Sequence, residues 1–186
     1  MKAGMCVIAV LVTMSAGSMY PAAADEKEDY GKLIRALPMT KQTLAAGIKQ
    51  AATKAPEVAI SAKFELEDGK LSLSVYTAEK GLGADAEHNV LKELAGSPAA
   101  DAWKPEVEVF KDVPHVSRAS QQLTLMSRSN FSLLDILEKA EKDQPGTVFS
   151  ITPVLRDRQA QFIVLVAADG KAVELKYDLT TGERVR

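Results

Sequence analysis

Two stretches of the chain change the rhythm of their apolar positions at the same place. In Ser132–Leu165, Leu133, Ile136, Leu137 and Ala140 fall on one face at helical spacing. Ser132 before them and Asp135 three residues on have the form of a capping box, with Phe131 and Ile136 placed as a hydrophobic staple. In Thr43–Tyr76, Thr43 takes the cap, and Leu44, Ile48, Ala51 and Ala55 form the stripe. Pro56 and Pro145 end both helices, because proline disfavours helical geometry in the residue before it. Gly47 and a smaller apolar face predict the first helix to be the weaker.

Beyond each proline the period becomes two. Val58, Ile60, Ala62, Phe64 and Leu66 alternate with Ala59, Ser61, Lys63 and Glu65, and Asp68-Gly69 follows as a hairpin signal before Leu71, Leu73 and Val75. The second stretch offers Phe149, Ile151, Leu155, Phe162, Val164 and Val166 as the inward set. Pro153 predicts an edge or a bulge there. A second turn, Ala168-Asp169-Gly170-Lys171, leads into Val173, Leu175 and Tyr177. Aligned without gaps at an offset of 89, the two stretches share 7 identical columns of 34: Leu44/Leu133, Ala51/Ala140, Pro56/Pro145, Ser61/Ser150, Leu66/Leu155, Asp68/Asp157 and Val75/Val164. The predicted unit is a helix followed by an antiparallel meander with one apolar face for the helix to cover, so the fold class is α+β.

The units differ at one place. The first carries an insertion, 77–104, that reads as a Gly-rich loop, a short helix from Asp85 to Leu94 (apolar at Val90, Leu91 and Leu94) and a second loop. Pairing resumes with Val107-Glu108-Val109 against Val173-Glu174-Leu175 as the third strand. The predicted organisation is a signal peptide at 1–24, an N-terminal tail at 25–38, module 1 at 39–118, a linker at 119–130 and module 2 at 131–186.

Charge and composition add the compartment. Residues 1–24 carry one charge, Lys2, then an apolar run from Ala3 to Met14, and end in Ala22-Ala23-Ala24 before the acidic Asp25–Asp29. This is the make-up of a cleavable secretory signal, and the run is short for a membrane span, which needs roughly 20 apolar residues. Export to the periplasm or the medium is therefore expected. The remaining 162 residues hold 22 basic and 25 acidic side chains, a net charge of −3 with the signs interspersed. A nucleic-acid binder would concentrate basic residues instead. Cys6 is the only cysteine and lies in the segment to be removed, so no disulfide, thiol nucleophile or thiolate metal site is expected in the mature chain.

Candidate chemistry is thin. His88 reads as a solvated residue of the inserted helix and His115 as a turn residue after Asp112-Val113-Pro114. No spacing of histidines and carboxylates suits zinc. Glu65, Glu67, Glu106 and Glu108 alternate with apolar neighbours and are expected on a solvated sheet face. Gly81-Leu82-Gly83 lacks the rest of a phosphate loop. Trp103 either packs its own loop onto the core or anchors a partner. No catalytic, cofactor-binding or metal-ligating residue is assigned, and the chain is not expected to be an enzyme.

The helix, proline break, alternating strand and hairpin resemble the PepSY domain. The residues that carry the likeness are Leu44–Ala52 with Glu65–Val75, and Asp169–Asp178 with Thr181-Gly182-Glu183-Arg184-Val185. The resemblance implies a tandem of cystatin-like helix-on-sheet modules, an extracytoplasmic location, and a role in binding and inhibiting or modulating a peptidase, with no catalytic residues. The leading expectation is accordingly a non-enzymatic exported module that binds a protein or peptide, without nucleic acid or stable membrane insertion. The alternative is a small-molecule-binding pocket protein of the envelope, which needs a deep cavity lined by residues such as Leu137, Phe149 and Phe162.

Overall fold

The computed structural model describes residues 23–185. The signal-peptide expectation lies outside the described residues except for its last two positions. Eight strands form one antiparallel sheet: β1 (Val58–Glu67), β2 (Lys70–Ala78), β3 (Leu91–Gly96), β4 (Glu106–Val109), β5 (Thr147–Arg156), β6 (Gln159–Ala168), β7 (Lys171–Asp178) and β8 (Arg184–Val185). Their order is β4-β3-β2-β1-β5-β6-β7-β8. Four α-helices accompany it: α1 (Ala23–Ala36), α2 (Leu44–Ala51), α3 (Val113–Met126) and α4 (Leu133–Asp143). The fold is α+β, and among the described residues no helix is long and apolar enough to cross a membrane.

The repeat seen in the sequence is also present in the backbone. Both opening helices are capped as their sequences predict. Thr43 accepts from the Ala46 N–H at 3.1 Å, while Ser132 and Asp135 complete the reciprocal box. Each first strand carries an irregularity in its register, between Ala59 and Ser61 in β1 and between Val148 and Ser150 in β5. The extra residues are Ile60 and Phe149, 89 positions apart like the aligned columns. Each hairpin then turns through two residues at positive φ, Asp68 and Gly69 in one and Asp157 and Arg158 in the other. That is the backbone of the tight turns that match strand twist.

The two hairpins join through β1 and β5, with Ala62 opposite Ile151 and Lys63 opposite Ser150. Ala62 and Ile151 are themselves 89 residues apart, so an equivalent pair faces itself and a local two-fold relation passes through it. Continued, this register sets Ile60 opposite Pro153 and Phe64 opposite Phe149. The two bulges thus bracket the junction and keep it short. Pro153 lies beyond the residues of β5 paired with β1, where a missing N–H costs that ladder nothing.

Both faces of the sheet are covered near the junction. Helix α2 packs on β1 and β2, α4 on β5 and β6, and the two helices touch each other. Gly47 lets α2 sit close, since a Cβ there would come within 2.6 Å of the Leu73 side chain. Helix α3 lies on the opposite face, where Gln122 accepts from the Ser61 hydroxyl at 2.9 Å, both groups buried. One contiguous set of buried side chains includes Leu44 and Ile48 of the first unit and Leu133 and Ile136 of the second, so the units share a core.

Several expectations are corrected. The tail at 25–38 is not a tail: α1 and a short 3₁₀ turn (Leu37–Met39) occupy it, with Leu33 and Leu37 buried. The helix expected over Asp85–Leu94 is absent; a loop runs to Val90 and β3 begins at Leu91. Leu91 and Leu94 face opposite sides of β3, and their spacing imitates a helix. The third strand of unit 1 is therefore β3, while Val107–Val109 belong to β4, whose counterpart is β8. The boundary set at 118/119 and the linker 119–130 fall within and after α3, and His115 stands in its first turn. Helix α2 ends at Ala51, leaving Ala55 exposed outside it. Leu155, expected inward, is exposed near the β5–β6 turn.

Candidate functional site

A continuous sheet has two open sides. On one of them β8 is a two-residue strand; on the other β4 presents Glu106-Val107-Glu108-Val109. The Phe110 N–H donates to the Leu91 carbonyl at 3.0 Å, which fixes the phase of the β3–β4 ladder. Bonded and outward-facing residues alternate in an antiparallel pair, so Glu106 and Glu108 bond to β3. The backbone N–H and C=O groups of Val107 and Val109 then point away from the sheet, and among the described residues no protein group meets them. The two residues are 59% and 44% exposed, and their side chains lie on the face where α2 lies but beyond its reach. This edge combines unpaired backbone with uncovered apolar surface, which soluble proteins ordinarily avoid.

The other face of the same edge is acidic. An open crevice of about 580 Å³ runs across β2, β3 and β4 and is lined by Glu67, Asp68, Glu93, Glu106 and Glu108, with Lys70 and Lys104 as its basic residues. Burial, and then the neighbouring Glu65 and Glu93 charges, hold the Glu67 carboxyl above its ordinary value. The Ser74 hydroxyl donates to Glu93.

Beneath the edge the strand order is held rigidly. The Lys92 ammonium, largely buried in β3, lies 3.1 Å from Glu57 and 2.9 Å from Glu79. Burial alone would lower its pKa, but hydrogen bonds and charge from the two carboxylates raise it instead. Glu57 also accepts from the buried Thr77 hydroxyl at 2.8 Å. Trp103, 2% exposed, donates from Nε1 to the Gly96 carbonyl at 3.3 Å and pins the loop between β3 and β4. Of its two readings, the core role is the one the structure shows. Asn89 braces the preceding loop through Lys80, Gly81 and Ala84, a role with no signal in the sequence.

Neither histidine sits in a cleft with a nucleophile. His88 Nδ1 lies 2.7 Å from Asp85, and His115 Nδ1 2.8 Å from Asp112, each pair three residues apart and exposed. Both aspartates also accept the backbone N–H of their histidine, so these are turn and cap structures; hydrogen bonding from the histidine holds each carboxyl below its usual range. The His115 ring also stacks on Phe110, 5.3 Å between centroids. Among the described residues no group of three His, Cys, Asp or Glu side chains could hold a metal ion.

The pocket reading calls for a deep cavity lined by Leu137, Phe149 and Phe162, and these three do not line one crevice together. Leu137 and Phe162 are packed solidly, but Phe149 lines an open crevice of about 300 Å³ with Tyr30, Leu33, Phe64 and Leu165.

No family model matches the chain, and no curated protein matches it. A solved structure that is similar in part is that of a "putative lipoprotein" from Clostridium difficile 630: 14% identical, with a TM-score of 0.41, over 79% of this chain and 92% of that one.

Proposed function

We propose that this chain is an exported, non-enzymatic module of two PepSY-like units that captures an extended protein segment by strand addition at β4. The observation that carries the proposal is the outward-facing backbone of Val107 and Val109 beside their uncovered side chains. An added strand would complete those hydrogen bonds and bury both valines, the division of labour between main chain and side chain that strand addition uses. Export is supported by the charged, apolar and small-residue order of residues 1–24. A peptidase is the partner class that the PepSY resemblance names, its extended surface segments being suitable guests.

The test is a substitution that closes the edge without touching the fold. Among the described residues the Val107 N–H bonds nothing, so Val107→Pro removes an outward donor and an exposed side chain without taking a bond from the β3–β4 ladder. Envelope proteins retained by the wild-type protein should be lost with this variant, and a retained peptidase should lose activity on adding the wild type alone. Equal retention by both proteins would defeat strand addition. A second reading, a small apolar ligand held against Tyr30 and Phe149, is favoured by the 300 Å³ crevice, near the lower limit of ligand pockets. It requires a Phe149→Ala change, and not Val107→Pro, to abolish binding.

A further inference from the structure

We infer that the β4 edge selects an extended segment in which basic residues alternate with apolar ones. The inference rests on the strand-addition reading and adds the chemistry of the guest. Residues directly opposite on neighbouring antiparallel strands share a face, so every position of an added strand meets one of two environments. On one face it meets Val107 and Val109, both exposed. On the other it meets Glu106 and Glu108, with Glu93 one strand further in.

Charge concentrates on that second face beyond what the chain's composition requires. The whole sequence carries a formal net charge of −2. The crevice beside β4 alone is lined by five carboxylates (Glu67, Asp68, Glu93, Glu106 and Glu108) and two ammonium groups, a formal −3. Glu65 lies on the same face of the sheet, although its carboxylate is engaged by Lys63. Crowding already acts on this set, since burial together with the charges of Glu65 and Glu93 raises the Glu67 pKa. A lysine or arginine laid into the crevice relieves that repulsion, and an acidic guest adds to it.

The same glutamates decide against a second copy as the guest. Two β4 strands paired edge to edge would bring the Glu106 and Glu108 pairs of both copies onto adjacent strands, and like charges there destabilise the pairing. Charged residues on an edge are a common guard against such self-association. Here the guard leaves the edge open to a partner of opposite sign, and it predicts faster association at low salt.

The test uses the full chain and fluorescence anisotropy with three labelled peptides of equal length. One alternates lysine with valine, one alternates glutamate with valine, and one has the lysines and valines of the first in blocks. The alternating basic peptide should bind at least about tenfold more tightly than either other, and the margin should shrink as salt rises. In Glu106→Lys/Glu108→Lys the preference should reverse toward the acidic peptide. In Val107→Pro binding of every peptide should fall about tenfold or more. If the acidic and basic peptides bind equally and Val107→Pro abolishes both, strand addition stands and the basic preference is overturned. If the basic peptide binds wild type and Val107→Pro alike, the contact is electrostatic alone and both readings fail. Absence of binding by all three peptides also overturns the inference. Circular dichroism of both variants checks that the fold is retained.

Discussion

The two units agree where the core is made and part where the sheet ends. Cap, bulge, hairpin turn and the strand that faces its own counterpart recur at a constant offset of 89. After the second strand the likeness stops. Unit 2 turns at once through Asp169 and Gly170 into β7, and closes through Asp178–Glu183 into the two-residue β8. Unit 1 takes a braced loop into β3 and a Trp103-anchored loop into a longer β4. Packing constrains the first set of features, because both units feed one core. The edge strands escape that constraint, and among the described residues β4 is the longer of the two.

The largest effect should come from Lys92 of unit 1, paired with the largely buried Glu57 and the half-exposed Glu79; in unit 2 Val173 takes the place of Lys92 in the third strand. Lys92→Ala strands Glu57 among buried neighbours and should cost about 3 kcal/mol in denaturant unfolding, whereas Val173→Ala should cost clearly less. Comparable losses would mean that the ion pairs do not distinguish the units.

Next is the closing turn of unit 2. Gly182 has φ +63°, and a Cβ there would stand 2.8 Å from the Phe131 ring and 2.7 Å from the Lys139 ammonium, which donates to the Gly182 carbonyl. Gly182→Ala should therefore lower stability by about 2 kcal/mol, measured as a shifted urea midpoint at constant slope. Unit 1 anchors the corresponding turn with Trp103 instead.

The helix caps should separate the units more finely. Ser132→Ala breaks a reciprocal box and should cost about 1 kcal/mol, while Thr43→Ala removes one bond and should cost less. A pH titration follows the same cap. The Ser132 hydroxyl and N–H hold the Asp135 carboxyl below its ordinary value, and the Thr181 and Thr180 N–H groups do the same for Asp178. A carboxyl depressed in the folded state stabilises above its unfolded pKa, about 3.9, and loses that contribution as pH falls through the folded value. The melting temperature should therefore drop below about pH 4, and the Ser132→Ala difference should shrink over the same window.

The smallest effect has the opposite sign. Arg158 occupies the turn position held by Gly69 in unit 1, at φ +65°. Arg158→Gly should stabilise unit 2 by roughly 0.5 kcal/mol, and Gly69→Arg should cost unit 1 about as much.

Much of the core was legible because its signals are local. The caps at Thr43 and Ser132, the Asp-Gly turns and the period-two strands each follow from a few adjacent residues. Strand β3 was missed for a tertiary reason. Leu91 and Leu94 are both apolar yet point to opposite faces of the sheet, so no clean alternation marks a strand. Helix α1 was missed because its charged start masks the Tyr30, Leu33 and Ile34 side that packs it down. The candidate edge was half legible. Glu106-Val107-Glu108-Val109 reads as a strand from its alternation, but its place at the margin depends on the pairing of strands far away in sequence.

That pairing is what everything else leans on. If β1 and β5 did not meet, each hairpin would own further exposed edges and β4 would lose its distinction. Solution NMR of the full chain can decide this through cross-strand contacts between the β1 and β5 backbones. Nuclear Overhauser effects linking Ala62 with Ile151, and Lys63 with Ser150, are the expected result. Intact β1–β2 and β5–β6 contacts without any between Ala62–Lys63 and Ser150–Ile151 would contradict it.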